Sequence, residues 1–421
     1  YQWLDGHLTI GAQIYIILSY LPNNLLFLHQ TELLQRMDSN FIYHKPATGK
    51  YFIGRTPDSN VLFNLLSQGE NIVIYEPPKS GKSSLIHQTF FNMKIRRVQF
   101  SSAEYSFLNV RTAADLMMGL GSSIIKAAVP YAGDYQRIVA EFLKDTHFTF
   151  DREVYDSKGR ILSLNWDIDD KDIEAILTLP YRIAGQNSQK LIVVIDEFQN
   201  IMETEDGEHL CKLMEKVFGN LTDSDRAAAS YILSGSRVNA MKEIFEHRKF
   251  FFRQVERVKL SAIGSREIID FAVKGFLSEG KVLDKNLMLG VCKLFKGNVW
   301  YINHFCSICD CISKGYIMEP VLLESLEAII SLNEPKFQAT MNDLTTYQIY
   351  LLRAILEGQT RLSSSEVIRR YNLNSSANVL RLKDALCKKE IITFEAEDKP
   401  VILDPLFEYW VSKVFFEMKM D

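Results

Sequence analysis

The sequence predicts an α/β fold: a core built on a parallel sheet, then a helical segment, then a small module of three helices and a hairpin. Three observations carry this. Short apolar runs such as NIVIY and LIVVI read as strands buried on both faces. Helical spacings alternate with these runs as far as residue 262, which is the order of a parallel sheet. From residue 263 only helical spacing remains, until IITFEAEDKPVIL supplies a pair of short strands near the end.

At 421 residues the chain is long for one domain, and 47% hydrophobic residues supply ample core. A net charge of −4 argues against indiscriminate nucleic-acid binding. Six cysteines in a chain of this length do not form a secreted disulfide framework. Cys306, Cys309 and Cys311 lie close together in an apolar helical pattern, so they read as buried thiols, not as a zinc site. Residues 1–36 are set apart as an N-terminal extension. Their apolar run IYIILSYL is eight residues long, against the roughly 20 that a spanning helix needs. No basic residue precedes that run, and a cytoplasmic protein without a stable membrane span is expected.

Taken in order, FIGRTPDSNVLFNLLSQG reads as an extended entry and a helix, capped by Asp58 or Ser59 and ended by Gly69. NIVIY is a strand and SSLIHQTFFNM a helix; RRVQFSS and AADLMMGLGSSIIKAA repeat that pair. HFTFDREVYDSKGRILSLNWD reads as an insertion, and the helix KDIEAILTLPYRIA is expected to hold only as far as Pro180. KLIVVIDEFQN, AASYILSGS and QVERVKLSAI are the remaining strands, with the helix EHLCKLMEKVFGNL between the first two. Four helical patterns follow, and then TTYQIYLLRAILEG, SSSEVIRRYN, SSANVLRLKDALCKKE and the hairpin, the layout of a winged helix.

Between the first strand and its helix lies EPPKSGKSSL. A glycine-containing loop at a helix N-terminus offers unpaired N–H groups and the positive end of a dipole, which together favour phosphates. In this reading Pro78, Lys79, Ser80, Gly81, Lys82, Ser83 and Ser84 form the loop. Lys82 reaches the β- and γ-phosphates, and the Ser83 hydroxyl ligates Mg²⁺. Asp196 ends a buried strand and is the second Mg²⁺ residue; Glu197 beside it is the general base. Ser234, Ser236 and Arg237 follow another strand as candidates to sense the γ-phosphate, with a plain turn as the alternative, and Arg253 is a further candidate phosphate partner.

Together, FIGR, IYEPPKSGKSSL, VVIDEFQN, YILSGS with Met241, FFRQVERVKL, GNVWYINHF and LDPLFEYWV resemble the archaeal-type ATPases, P-loop proteins allied to the AAA and STAND groups. The resemblance runs from about Phe52 to Phe415. It implies a P-loop ATPase core with an added strand between the two Walker elements (37–262), an α-helical lid (263–340) and a winged-helix domain (341–421). It also implies ATP and Mg²⁺ as cofactors, and it puts Gly54-Arg55 near the base and sugar. The sequence departs from the family where Glu76 stands for the first loop glycine and Pro78-Lys79 for an arginine pair. Glu76 is expected to take extended backbone angles with its side chain turned from the phosphates, and Lys79 to offset its charge in part. The expected function is an ATP-dependent molecular switch with slow or partner-dependent hydrolysis. The alternative is a DNA-associated regulator that binds ATP with little turnover. A protein partner is expected, DNA contact through a basic face of Arg369, Arg370, Arg381, Lys383, Lys388 and Lys389 is the alternative to packing by the helix SSANVLRLKDALCKKE, and the oligomeric state is open.

Overall fold

A computed structural model describes residues 40–187, 189–395 and 398–418. The extension read at residues 1–36 lies outside them. The core opens with α1 (Thr56–Gln68), β1 (Ile72–Tyr75), α2 (Lys82–Ile95), β2 (Phe100–Ser106) and α3 (Ala113–Ala128). The insertion contributes α4 (Tyr135–Phe142), β3 (Phe148–Phe150), α5 (Arg152–Lys158) and β4 (Leu162–Leu164), with β3 and β4 paired antiparallel. The core closes with α6 (Asp170–Asn187), β5 (Lys190–Asp196), α7 (Gly207–Gly219), α8 (Asp223–Ala228), β6 (Ala229–Gly235), α9 (Val238–Lys242) and β7 (Glu256–Arg257).

Five strands form one sheet in the order β2-β5-β6-β1-β7, and every neighbouring pair is parallel. Strand β6 therefore stands between the loop strand β1 and the acid-bearing strand β5. Tyr75 pairs with Gly235, and Ile195 with Leu233, so the C-terminal ends of β1, β6 and β5 share one edge. Alternation along β1 splits the packing. Ile72 and Ile74 face Leu62, Leu66, Leu85 and Phe90 of α1 and α2. Val73 and Tyr75 belong to the larger core on the opposite face, with Leu116, Ile176 and Phe198. The loop is thus anchored by a strand buried on both faces.

Two local readings are corrected. Helix α1 is capped by Arg55, in a left-handed conformation, and not by Asp58 or Ser59, because Pro57 fits the first turn and starts the helix earlier. Asp58 instead accepts hydrogen bonds from the N–H and hydroxyl of Ser261, both at 2.7 Å, tying α1 to the chain leaving β7. Helix α6 runs through Pro180 to Asn187. Buried residues on either side of the proline hold it, and the Tyr231 hydroxyl donates to the Leu177 carbonyl at 2.8 Å, in the turn that proline weakens.

The second half comprises α10 (Ser265–Ser278), β8 (Val282–Leu283), α11 (Lys285–Leu294), α12 (Val299–Ile312), β9 (Tyr316–Ile317) and α13 (Glu319–Asn342). The terminal module is α14 (Thr346–Leu356), α15 (Ser365–Arg370), α16 (Ser376–Lys388), an antiparallel hairpin β10 (Ile392–Phe394) and β11 (Pro400–Ile402), and α17 (Pro405–Trp410). Both parts share one hydrophobic core, in which Phe276, Phe305, Phe337, Leu351 and Trp410 all take part. Phe41, from ahead of the sheet, is buried in that core beside Phe276. Cys306 and Cys309 are buried free thiols within it. Among the described residues no helix is long and apolar enough to cross a membrane.

Candidate nucleotide site

The loop between β1 and α2 is a tight turn that ends on Gly81, whose φ of 100° only glycine adopts without strain. Among the described residues, no hydrogen bond takes up the backbone N–H groups of Gly81, Lys82 or Ser83. They are the free donors of a helix N-terminus, aimed at the mouth of the loop. The Ser80 hydroxyl is buried without a partner, and Ser83 is exposed. Lys82 is 7% exposed, and its amine bridges the carbonyls of Glu76 and Pro77 at 2.8 and 3.0 Å. Burial pushes this amine down to about 8, against the opposing pull of Asp196, Glu197 and Glu76. This donor set fits a polyphosphate with its cation: free N–H groups and a buried lysine for the phosphates, and the Ser83 hydroxyl and Asp196 carboxylate as oxygen ligands for Mg²⁺.

Glu76 takes no left-handed backbone conformation, so replacing glycine there costs no strain. Its carboxylate accepts from Leu260 N–H at 3.4 Å, toward the chain beyond β7. The expected offset by Lys79 is corrected. Lys79 is itself left-handed, with φ 65°, and its amine lies over the rings of Trp300 at 3.9 Å and Tyr301 at 4.8 Å. Burial pushes the amine of Lys79 down to about 8. The cations that feel Glu76 are Lys82 and Arg55. Arg55 spends its donors on the carbonyls of Ser261 at 2.8 Å and Ser80 at 2.6 Å, bracing the loop from beneath. The Ser84 hydroxyl accepts from Ala47 N–H at 3.0 Å, and Pro78 is an exposed loop tip.

Asp196 and Glu197 stand at the end of β5 on the edge they share with the loop. Glu197 is left-handed, with φ 52°, and its carboxylate is engaged. Ser236 donates to both of its oxygens at 2.9 and 2.7 Å, and the Gln199 amide donates at 2.5 Å. Gly235 keeps this corner close, since a Cβ there would lie 2.5 Å from Met241. Arg237 turns away to Glu203, at 2.9 Å. The structure does not bring Arg253 to the loop: its exposed guanidinium lies 5.1 Å from the Phe252 ring, and no hydrogen bond joins it to the loop or the acids among the described residues.

A cleft opens beside the loop that sequence reasoning had only outlined through Gly54-Arg55. Tyr43, Tyr51 and Phe52 line it from the entry segment, and Ile263, Val299, Trp300 and Asn303 from the helical half. Ser80, Gly81, Ser84 and Arg55 line its end at the loop. Tyr43 stacks on His304 at 4.3 Å. These residues were missed because nothing local marks them: Tyr43 and Trp300 come together only when the entry segment folds onto α12. The Gly297-Asn298 pair that opens α12 was the available signal, since Asn298 caps the helix by accepting from Tyr301 N–H at 3.2 Å.

The comparisons agree with this geometry. Residues 335–413 match the family model of a probable winged helix domain. No curated protein matches the chain. Among solved structures, a Walker-type ATPase of Pyrococcus abyssi superposes with a TM-score of 0.61 at 18% identity, over 88% of this chain and 99% of that one. The ORC2 protein of Aeropyrum pernix, described in ADPNP–ADP complexes, gives 0.55 at 13% identity, over 88% of this chain and 94% of that one. At such identities the likeness is one of fold. The fold is that of the P-loop ATPases, a parallel α/β core with a helical segment and a C-terminal winged helix.

Proposed function

We propose that this chain is an ATP-binding P-loop ATPase that works as a nucleotide-dependent switch, with hydrolysis held slow in the state described. One observation carries the switch: the winged helix is hydrogen-bonded to the residues that directly follow Ser236. Glu390 accepts from the N–H groups of Asn239 and Ala240 at 3.1 and 3.0 Å. The Asn239 amide donates to the carbonyls of Cys387 and Ile392 at 3.0 and 2.8 Å, and the Lys242 amine donates to the Thr393 hydroxyl at 2.8 Å. A change at Ser236 therefore has a short mechanical path to the winged helix.

In this reading the loop donors and Lys82 hold the phosphates, Ser83 and Asp196 hold Mg²⁺, and Glu197 orients and deprotonates the attacking water. When bound, Mg²⁺ would neutralise charge on the terminal phosphates. Ser236 plays two parts. It donates to the Glu197 carboxylate, and in this reading it turns to the terminal phosphate when ATP binds. Glu197 becomes a base only when Ser236 and Gln199 release it, which would make turnover slow or partner-stimulated. The descriptions of the structural neighbours, one a Walker-type ATPase and one in complexes with ADPNP and ADP, support the same reading.

The test combines calorimetry with phosphate release. Wild type should bind ATP and ADP, Lys82→Ala should weaken binding by about 100-fold, and Glu197→Gln should bind normally while turnover drops by about 100-fold. Folded protein that binds neither nucleotide would refute the proposal.

A further inference from the structure

Asn303 is 2% exposed and lines the cleft beside Val299 and Trp300. Its amide nitrogen donates to the Ile42 carbonyl at 2.8 Å. A carbonyl only accepts, so Ile42 dictates which end of the amide is which. That leaves the Asn303 oxygen, which is buried and has no partner. A buried acceptor without a donor is costly, and few survive in folded proteins unless something completes them.

The surroundings narrow what that is. The cleft leads from the phosphate end of the loop to walls of Tyr43, Phe52, Ile53 and Trp300. Those walls are uncharged at neutral pH. Burial raises the Tyr43 phenol and, with the Lys79 cation adding to it, pushes the neighbouring His304 ring down to about 4. Three cations also line the cleft: the Lys79 amine is already seated over Trp300, the Arg55 guanidinium is spent on the Ser80 and Ser261 carbonyls, and Lys45 comes from the entry segment. Aromatic, uncharged walls around the unsatisfied Asn303 oxygen, away from the loop end where Ser80 and Arg55 stand, are a place for a flat heterocycle that carries an amino group.

We infer that Asn303 is the specificity-determining residue for the base, its side-chain oxygen accepting from the exocyclic 6-amino group of adenine and disfavouring 6-oxopurines. The inference rests on the reading of the loop as a nucleotide site. The chemistry behind the discrimination is simple. An amino group completes the acceptor. A 6-oxo group sets oxygen against oxygen and leaves both unsatisfied, and a site built to receive a hydrogen bond rejects a ligand that cannot give one.

Inosine triphosphate is the probe, because it differs from ATP only in the 6-oxo group and the N1 proton that accompanies it. Binding to the full chain is measured by calorimetry for ATP, inosine triphosphate and GTP. Wild type should bind ATP at least tenfold more tightly than either of the others. Asn303→Leu should bring ATP and inosine triphosphate within about threefold of each other. Asn303→Asp keeps an acceptor and loses the donor to Ile42, so it should keep the preference while lowering the melting temperature. Equal binding of ATP and inosine triphosphate by wild type would overturn the assignment, with the loop reading intact so long as Lys82→Ala abolishes both. GTP as tight as ATP would overturn the choice of adenine. Loss of the preference in Asn303→Asp would also overturn it, since the residue would then be acting through Ile42. Folded wild type that binds none of the three would overturn the loop reading and this assignment together.

Discussion

Three carboxylates surround Lys82, and its amine still sits near 8, because burial outweighs their attraction. A bound polyphosphate adds the missing negative charge and draws the proton back onto the lysine. Binding therefore takes up a proton, and affinity must fall as pH rises through about 8. The fall approaches tenfold per pH unit well above that point. Calorimetry at pH 7, 8 and 9 checks this. Lys79 is depressed to the same value, so Lys79→Met serves as the control. The pH dependence should persist in it, because the Lys79 amine faces Trp300 and Tyr301 and not the loop mouth. Glu76 makes a second case. Its backbone needs no glycine, and its charge reaches Lys82. Glu76→Gly should thus raise ATP affinity severalfold while lowering stability by about 1 kcal/mol through the freer unfolded chain. Unchanged or weaker binding would show that the carboxylate is too far from the phosphates to matter.

Helix α9 is only five residues long, yet Asn239, Ala240 and Lys242 in it are all hydrogen-bonded to the winged helix. Removing the Asn239 side chain strands the Ile392 carbonyl and takes an acceptor from the Thr393 hydroxyl, while the Cys387 carbonyl keeps Glu390 N–H at 2.9 Å and the Thr393 oxygen keeps Lys242. Asn239→Ala should cost about 2 kcal/mol and speed proteolysis at the α9–β10 contact, with ATP affinity kept within about threefold. The same docking bears on DNA. Lys383 pairs with Asp398, Lys389 with Asp343, Lys388 with Asp384 and Arg370 with Glu357. Only Arg369 and Arg381 of the expected basic face are exposed and outside an ion pair among the described residues. Duplex DNA should therefore bind weakly, and Arg369→Ala with Arg381→Ala should change that little; tight, salt-dependent binding lost in the double variant would reverse this view. What the sequence revealed at this scale follows from locality. The strand–loop–helix around Gly81-Lys82-Ser83, the Asp196-Glu197 pair and the helix-and-hairpin order of the winged helix are written in short windows and could be read there. The Tyr43–Trp300 wall, the turn of Lys79 toward α12 and the Glu390 clamp join residues far apart in the chain, where no window holds both partners.

At the scale of the molecule, the helical segment and the winged helix behave as one block, since a single core runs through both while the α/β sheet has its own. Trp410, from the last helix, is 3% exposed and packs 5.7 Å from the Phe337 ring of α13, with its indole N–H donated to Glu334 at 3.3 Å. Phe407 joins the same contact, 5.5 Å from Phe337. Tyr301 of α12 donates to Asp404 at 2.9 Å, just where α17 begins, which ties the cleft wall to the end of the winged helix. Trp410→Ala removes a large buried ring from this junction and should cost roughly 3–5 kcal/mol. The loss should not stay in the winged helix. In native-state hydrogen exchange, amides of α12 and α13 should lose protection together with those of α14 and α16, while β5 and β6 keep theirs. Nucleotide affinity should fall as well, because Trp300 rides on α12 and the cleft is built against it. Protection lost in the winged helix alone would mean that the shared core does not make a cooperative unit, and would leave the hydrogen bonds from α9 to Glu390, Cys387 and Ile392 as the more direct path between the Ser236 corner and that domain.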